Sequence, residues 1–347
     1  MSVFRPAIEL PFIAEEPLCL SVRRNGFQES IHEIDVVVCD AVGRVVLAMG
    51  ARESIVFPRS AMKPLQALAL VEMLNGAVDV PAITAAEFAL ICASHNGEQF
   101  HADAVSGLLA KFDISPEALT CGAHWSLDQN TMIEQVRRME HPEKLHNNCS
   151  GKHAGMLILA KLLTGSTEGY ADFTHAAQQR ILGVLEFMTG SDLMASALGI
   201  DGCGAPAYSA PLGNWARGFA MFAGGGVLPD ARQQACATLR DAIAAEPAYI
   251  AGTDRACSAI NAVYGDAITV KTGAEGVYAL AFHELGLGAM LKTRDGNRRG
   301  AEVAIGAIIR AFGYPVDPSL NRYFNPILKN WAGTEVGDIT VLNLSLG

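Results

Sequence analysis

Several features that mark common classes of protein are missing from this chain of 347 residues. It has no run of about 18 uninterrupted apolar residues, so a membrane span is not expected. The N-terminal segment MSVFRPAIELPFIAEEPLCL lacks the basic region, apolar run and small-residue cleavage site of a secretory signal, which predicts a cytoplasmic location. Basic charge is not in excess either, because 26 lysines and arginines face 36 acidic residues. A small-molecule partner is therefore predicted, and neither nucleic acid nor a membrane surface is.

Paired cysteine spacing is also missing, since no C-x-x-C occurs. The scattered thiols favour reduced cysteines over a disulfide framework. They lie at positions 19, 39, 92, 121, 149, 203, 236 and 257. No Pro/Ser-rich linker, charge run or repeat marks a boundary, so one domain over residues 1–347, with room for two lobes, is predicted.

The periodicity of the apolar residues predicts an α+β fold. Two runs rich in β-branched residues, 34–39 and 45–48, predict a β-hairpin, and 267–271, 276–282 and 286–292 predict three further antiparallel strands. Apolar residues at three-to-four spacing predict helices over 60–74, 85–93, 102–112, 131–139, 153–163, 176–188 and 300–312. The expected architecture is an antiparallel sheet of N- and C-terminal strands packed with helices, around a mostly helical middle region.

Three short motifs in one order indicate acyl transfer on a serine. They are Ser60-Ala-Met-Lys63, Ser94-His-Asn96 and Lys271-Thr-Gly273, the S-x-x-K, S-x-N and K-T-G set of penicilloyl serine enzymes. A hydroxyl needs a base during attack, and an unprotonated lysine is such a base. If Ser60 opens a helix, the amine of Lys63 is expected to reach its hydroxyl, because both lie on one face. Lys271, at a strand end, is expected to serve Ser94.

Each of these residues also has a non-catalytic interpretation. Ser60 suits a helix N-cap, with Lys63 as a solvated residue of the first turn, and a strand-end lysine such as Lys271 is commonly a solvated charge. The combination of all three motifs favours catalysis. Two neighbouring lysines suppress each other's charge, and lowering a lysine pKa from about 10.4 to 7–8 corresponds to roughly 3–5 kcal/mol.

Two polar, Gly-rich loops lie outside these motifs, 146–155 (HNNCSGKHAG) and 200–204 (IDGCG). If the loops meet, Cys149 and Cys203 supply two thiols for a soft metal, with Lys152 or His153 as a nitrogen ligand. Separate cysteines are more often core residues, so the spacing alone leaves both interpretations open.

At these residues the chain resembles the bacterial L-asparaginase II family of the Rhizobium etli type, also called class 3 asparaginases. The resemblance runs from the hairpin to the closing helix. Its most specific stretches are PRSAMKP (58–64), ASHNGE (93–98), NCSGKH (148–153), DGCG (201–204) and VKTG (270–273). It implies a fold similar to serine β-lactamases and glutaminases, a homodimer, and an amidohydrolase that converts L-asparagine to L-aspartate and ammonia.

The resemblance also implies roles for the motif residues, carried over by position. It implies that Ser60 is the nucleophile paired with Lys63, and that Ser94 pairs with Lys271 in proton transfer. It further implies a Zn2+ site that assists substrate binding more than chemistry. The implied zinc ligands are Cys149, Lys152 and Cys203, with Asp201 and His153 beside them.

An amino-acid substrate carries an α-carboxylate and an α-ammonium, so its pocket needs a cation and an anion. Arg59 and Asp201 are the candidates, with His153 as an orienting group, although Arg59 also suits a surface charge. The full predicted substrate-binding set is Arg59, Asn96, His153, Asp201, Thr272 and Gly273.

Two other functions remain open at this point. The three motifs also suit a penicillin-binding or β-lactamase-like serine hydrolase, although those proteins usually work outside the cytosol. A non-catalytic zinc-binding or amino-acid-binding module is the second alternative. Acylation of the serine by substrate or by a β-lactam would discriminate among the three.

Overall fold

The computed structural model describes residues 6–139 and 141–344. The strands are β1 (Phe12–Ala14), β2 (Leu18–Arg24), β3 (Phe27–Asp40), β4 (Val45–Met49), β5 (Ile55–Val56), β6 (Leu198–Ile200), β7 (Pro206–Tyr208), β8 (Ala210–Pro211), β9 (Ile268–Thr272), β10 (Val277–Phe282), β11 (Leu287–Thr293), β12 (Ile327–Lys329) and β13 (Glu335–Val341). The α-helices are α1 (Lys63–Asn75), α2 (Ala85–Ile91), α3 (Gln99–Lys111), α4 (Gln129–Arg138), α5 (Ser150–Thr164), α6 (Ala176–Thr189), α7 (Leu212–Ala223), α8 (Asp230–Ala245), α9 (Pro247–Ala251), α10 (Ala256–Tyr264), α11 (Arg298–Ala311) and α12 (Asn321–Phe324).

One sheet holds most of these strands, in the order β12-β13-β2-β3-β11-β10-β9, with β4 beside β3 and β1 beside β4. Its pairs are antiparallel, except that β1 runs parallel to β4. The predicted hairpin is present as β3 and β4, where Val38 faces Leu47. The N-terminal strands β2 and β3 lie between C-terminal strands on both sides, which confirms the predicted α+β class and architecture.

The centre of the sheet is covered on both faces. Residues 34–39 of β3 are all buried, without the alternation of a strand that has one wet face. Helix α7 packs on β3, β10 and β11, and α11 packs on β2, β3, β10 and β11. At Gly288 of β11, an added Cβ would lie 2.1 Å from the carbonyl oxygen of Ala216 in α7. Only glycine therefore permits this close contact of helix and sheet.

Helix α1 is the central helix of the helical layer. Its residues 63–71 are buried all round, as expected of a helix that is surrounded by others. Helices α5, α6 and α8 pack against it. Pro64 lies in its first turn, where a missing N–H costs least. The 3-10 turn that leads into α1, Arg59–Met62, packs against β9 and β10.

The helices and strands predicted from periodicity all have observed counterparts, with ends that differ by a few residues. One difference concerns the site. The helix predicted over 60–74 begins as a 3-10 turn, Arg59–Met62, and α1 starts only at Lys63. The periodicity analysis does not predict β2, β13, α7 or α8.

Within the two described ranges, no helix combines the length and the apolar character that crossing a membrane requires. The single domain over residues 1–347 stays a prediction. Its two ends, 1–5 and 345–347, lie outside the described residues.

Candidate active site

Ser60 lies in the 3-10 turn that leads into α1, and its side chain is only partly buried. The residue before it, Arg59, has a φ of 53°, a left-handed conformation that is costly for a side chain other than glycine. The K-T-G strand packs directly on this turn. An added Cβ at Gly273 would lie 2.3 Å from the carbonyl oxygen of Pro58, so the approach requires glycine. The first and third motifs therefore meet at the serine turn.

Lys63 does not point its amine at Ser60. Its Nζ is hydrogen-bonded to the carbonyl oxygen of Ala93, to Ser94 Oγ at 3.0 Å and to Cys149 Sγ at 3.2 Å. Within the described residues, no hydrogen bond joins Lys63 Nζ to Ser60 Oγ. The expected Ser60–Lys63 contact fails because the lysine starts α1 after a 3-10 turn, and its chain runs inward to three buried acceptors.

Ser94 lies between two buried lysines. Its Oγ is 3.0 Å from Lys63 Nζ and 3.0 Å from Lys271 Nζ, which also donates to the carbonyl oxygen of Thr272 at 2.8 Å. Both lysine side chains are almost fully buried, with exposed fractions of 1% and 0%. The predicted pairing of Ser94 with Lys271 is present as a hydrogen bond, and Lys63 is added to it.

Burial lowers the pKa of Lys271 from its usual value to about 7. The positive charges of Lys63 and Arg255 act in the same direction, against an opposing effect of the Cys257 thiol. An amine with this pKa is partly neutral near pH 7 and has a lone pair to accept a proton. Lys271 therefore has the acid–base property that general-base catalysis needs.

The two predicted metal loops do meet. Lys152 Nζ lies 2.9 Å from Cys203 Sγ, and Lys63 Nζ lies 3.2 Å from Cys149 Sγ. The neighbouring Cys203 side chain, with the charges of Lys63 and Lys152, holds the pKa of Cys149 well below its usual value. The Cys149 side chain and burial raise the pKa of Cys203. Cys149 therefore ionises more readily than Cys203.

The chemistry of this thiol cluster (Cys149, Lys152 and Cys203) fits a soft metal. Two sulfurs and one amine nitrogen converge in a buried place, and sulfur and nitrogen atoms both ligate zinc or similar ions. Burial opposes a charge on Lys152, but the sulfurs of Cys203 and Cys149 outweigh it and raise its pKa. Among the described residues, no three His, Cys, Asp or Glu side chains form a metal-binding group, so a metal here would depend on the lysine.

The two groups predicted to bind the ends of the substrate bind each other here. Arg59 donates from Nε to Asp201 Oδ1 at 2.8 Å and from Nη2 to the same atom at 2.7 Å. Burial by itself raises the pKa of Asp201, but Lys152 and Arg59 outweigh it, so the carboxylate is charged. This ion pair joins the serine turn to the loop of Cys203.

His153 is fully buried rather than open to a substrate pocket. Its Nδ1 lies 2.6 Å from the hydroxyl of Tyr170, which accepts from the backbone N–H and the hydroxyl of Thr120. Tyr170 therefore donates to Nδ1, which places the proton of the neutral ring on Nε2. Burial and the charge of Lys152 hold the pKa of His153 well below its usual value. His153 directly follows Lys152 of the thiol cluster in α5.

Asn96 and Thr272 are also engaged within the protein. Asn96 Oδ1 accepts from Arg255 at 2.7 Å, and its Nδ2 donates to the carbonyl oxygen of Thr253 at 3.0 Å. Thr272 donates from Oγ1 to the carbonyl oxygen of Gly273 at 3.2 Å. Asn96 thus holds its own loop in place, while Thr272 lies on the strand that reaches the serine turn.

Sequence reasoning missed Arg255, Tyr170 and Thr120. None belongs to a recognisable pattern. Arg255 is the N-cap residue of α10 and reaches Asn96 across 159 positions. Tyr170 contacts His153, and Thr120 acts only through Tyr170. Only a contact map would have found these residues, because their role comes from where the chain folds back.

The family model of L-asparaginase II matches residues 20–341. A search of the curated proteins finds no match. Among solved structures, Mglu in its native form is 13% identical, with a TM-score of 0.38, over 77% of this chain and 61% of that chain. A β-lactamase from Mycobacterium bovis is 13% identical, with a TM-score of 0.39, over 80% and 94%. A class C β-lactamase mutant is 12% identical, with a TM-score of 0.39, over 84% and 90%.

The structural similarities are too remote to carry an inference about activity, and this chain spans only about 61% of the length of Mglu. The family match, in contrast, covers most of the chain. It includes the serine turn, Ser94 with its two lysines, and the thiol cluster. The chain belongs to the L-asparaginase II family.

Proposed function

We propose that this protein is an L-asparaginase that hydrolyses L-asparagine to L-aspartate and ammonia through a serine nucleophile and buried lysines. The observation that carries the proposal is the Ser94 centre, defined as Ser94 with Lys63 and Lys271. A serine that lies 3.0 Å from each of two buried lysine amines supports a role in proton transfer. The family supplies the amide as the bond to be cleaved.

Counting donors separates the roles of the two lysines. A lysine ammonium has three N–H groups, and Lys63 has three acceptors: the Ala93 carbonyl, Ser94 Oγ and the Cys149 sulfur. With Ser94 Oγ accepting from Lys63, the hydroxyl proton of Ser94 is free to point at the amine of Lys271. In this mechanism Lys271 is the general base, and Lys63 is a fixed positive charge.

The reaction then proceeds in two stages. Ser60 Oγ attacks the side-chain amide carbon, and its proton passes through Ser94 to Lys271. Backbone N–H groups of the serine turn stabilise the oxyanion. The C–N bond breaks, and ammonia leaves with the proton returned from Lys271. Water then cleaves the acyl-enzyme by the same proton route, which releases L-aspartate and restores Ser60.

Zinc belongs to the proposal as a substrate-binding aid held by the thiol cluster. When bound, it supplies a positive charge beside the pocket. Lys152 must lose its proton to become a ligand, and Cys203 must become a thiolate. The ion pair of Arg59 and Asp201 opens toward substrate, so that the guanidinium takes the α-carboxylate and the carboxylate takes the α-ammonium. The homodimer and the cytoplasmic location stay predictions from the sequence.

The test is ammonia release from L-asparagine by the purified protein, compared with the Ser60→Ala variant. Loss of the nucleophile is expected to lower kcat by at least about 10³-fold, because the acyl-enzyme no longer forms. Circular dichroism and metal content should stay as in the wild type, since Ser60 supports neither the core nor the thiol cluster. Turnover retained by the variant would disprove the nucleophile assignment.

Two controls separate the alternatives. L-glutamine tests the substrate, since one added methylene changes transition-state binding by only about 1–3 kcal/mol. A chromogenic β-lactam tests the second function, a β-lactamase-like hydrolase, which the three motifs also suit. Release of ammonia from neither amino acid by folded, zinc-loaded protein, together with β-lactam turnover, would replace the asparaginase proposal.

A further inference from the structure

A buried glutamine in α1 lacks a partner. Gln66 is 4% exposed, and neither its Oε1 nor its Nε2 has a hydrogen-bond partner in the described parts of the chain. The other residues from 64 to 71 are all apolar. Buried polar atoms in native proteins are nearly always hydrogen-bonded, either to protein or to ordered water. An amide at this position therefore needs a partner that is not a protein group.

Gln66 lines a small cavity that is also lined by Lys63 of the Ser94 centre and by Lys152 of the thiol cluster. The space available to the centre of a water is about 10 Å3, roughly what one water needs. Lys63 and Lys152 line the cavity beside Gln66, and the rest of its wall is apolar, with Leu70 and Met156 among the side chains. Gln66 and the two lysines are therefore the polar residues available to a water in this cavity.

The two lysines differ in what they have left to donate. The three acceptors of Lys63 use all the N–H groups of its ammonium. Lys152 Nζ has one hydrogen bond in the described chain, to Cys203 Sγ. It would still have two N–H groups when its lone pair is given to a metal. Lys152, which has donors left, and Gln66, whose amide has no partner in the described chain, line the same cavity.

We propose that one water in this cavity bridges the side-chain amide of Gln66 and the amine of Lys152, and that Gln66 is thereby a positioning residue of the zinc site. The inference rests on the zinc site of the proposed function. Groups behind a metal ligand hold it in the orientation that binding needs, and their loss typically weakens metal affinity about 10–100-fold. Gln66 touches neither metal nor substrate, so it acts through Lys152.

The water is tested by a high-resolution crystal structure of the wild-type protein without metal. An ordered water within hydrogen-bond distance of both the Gln66 amide and Lys152 Nζ is expected. A cavity without ordered water, or with a water that contacts only one of them, would overturn the bridge. This test does not depend on activity or on zinc.

The positioning role is tested by zinc affinity, measured by competition with a chelator. Gln66→Met keeps the length of the side chain without its polar atoms and should weaken zinc binding about 10–100-fold. Gln66→Asn keeps the uncharged amide on a side chain one methylene shorter and should bind zinc more tightly than Gln66→Met. Leu70→Met is the matched control, because it changes the same cavity wall without removing a polar atom, and its affinity should be unchanged. Circular dichroism checks that each variant is folded.

Unchanged affinity in Gln66→Met, or equal weakening in Leu70→Met, would overturn the positioning role. Should Gln66→Met fail to fold, Gln66→Leu takes its place, and unchanged zinc affinity in that variant would do the same. A wild-type protein that binds no zinc would contradict the zinc site itself and the positioning role with it, while the water bridge would still be decided by the crystal structure. Failure of the proposed function and failure of this inference therefore give different results.

Discussion

Two buried lysines of one site, Lys271 and Lys152, have pKa values shifted in opposite directions. Burial acts on both in the same sense, against the charged form. At Lys271 burial lowers the pKa to about 7, because the cations Lys63 and Arg255 add to it and the Cys257 side chain opposes it only in part. Lys152 lies beside two cysteine sulfurs, and its pKa rises. The neighbours, and not the depth of burial, decide which lysine becomes a base.

The comparison explains how one small volume can hold the proposed proton relay and the proposed metal site. The Ser94 centre needs an amine that is neutral near pH 7, which burial and the cations Lys63 and Arg255 favour. The thiol cluster needs anionic sulfur, so it keeps a lysine ammonium until a metal replaces the proton. Lys63 serves both, since it contacts Ser94 on one side and Cys149 on the other.

The largest expected effect is on turnover, when either of the two lysines is replaced. Lys271→Met removes the proposed general base, and kcat for L-asparagine should fall about 10²–10⁴-fold. Lys152→Met removes a proposed zinc ligand, so the main expected change is a higher KM, with a smaller loss of kcat. Steady-state kinetics over a range of L-asparagine concentrations, from below KM to saturation, measures both. Equal losses of kcat in the two variants would mean that the two lysines do not have separate roles.

The next effect is on metal affinity. Cys203→Ser removes a sulfur ligand and should weaken zinc binding by more than about 100-fold, beyond the loss typical of an outer-shell change. Cys236→Ser is the matched control, because that buried thiol lies in α8, away from the cluster. Wild-type affinity should also fall as the pH falls, since Lys152 and Cys203 must release protons to bind. Chelator competition at several pH values reports both effects, and equal affinities in the two variants would count against the cluster.

A pH profile tests the base directly. Lys271 must be neutral to accept a proton, and its pKa is about 7. The value of kcat/KM should therefore fall as the pH decreases through about 7, approaching a tenfold loss per pH unit. His153 is neutral throughout this range because its pKa is held well below its usual value. A flat profile between pH 6 and 8 would exclude Lys271 as the base of the free enzyme.

The smallest expected effect is a shift of that profile. Arg255→Gln removes a cation that lowers the pKa of Lys271, so the acidic limb should move to higher pH. Solvent and salt screen a charge on this partly exposed residue, so a shift of about a few tenths of a pH unit is expected. Arg24→Gln, at an exposed site in β2, is the control and should leave the profile in place. A shift to lower pH would contradict the electrostatic argument.

Much of the fold is predictable from local pattern. The long helices and the strands β3, β10 and β11 carry apolar repeats strong enough to read directly. The β2 strand and the β13 strand are harder, because their pairing joins residues such as Ser21 and Thr340 from opposite chain ends. Each is only partly apolar, and its place in the sheet comes from its partner.

The site, like the fold, is predictable from the sequence only in part. The sequence by itself determined the residue types that carry the chemistry, because the S-x-x-K, S-x-N and K-T-G motifs and the two cysteine loops are local patterns. Only the tertiary structure decided which atoms meet: Lys63 with Ser94 rather than Ser60, Arg59 with Asp201, and Lys152 with Cys203. The physical reason is that hydrogen bonds and pKa shifts depend on distances of a few ångströms between residues far apart along the chain, which only the packing of α1, α5 and β9 sets.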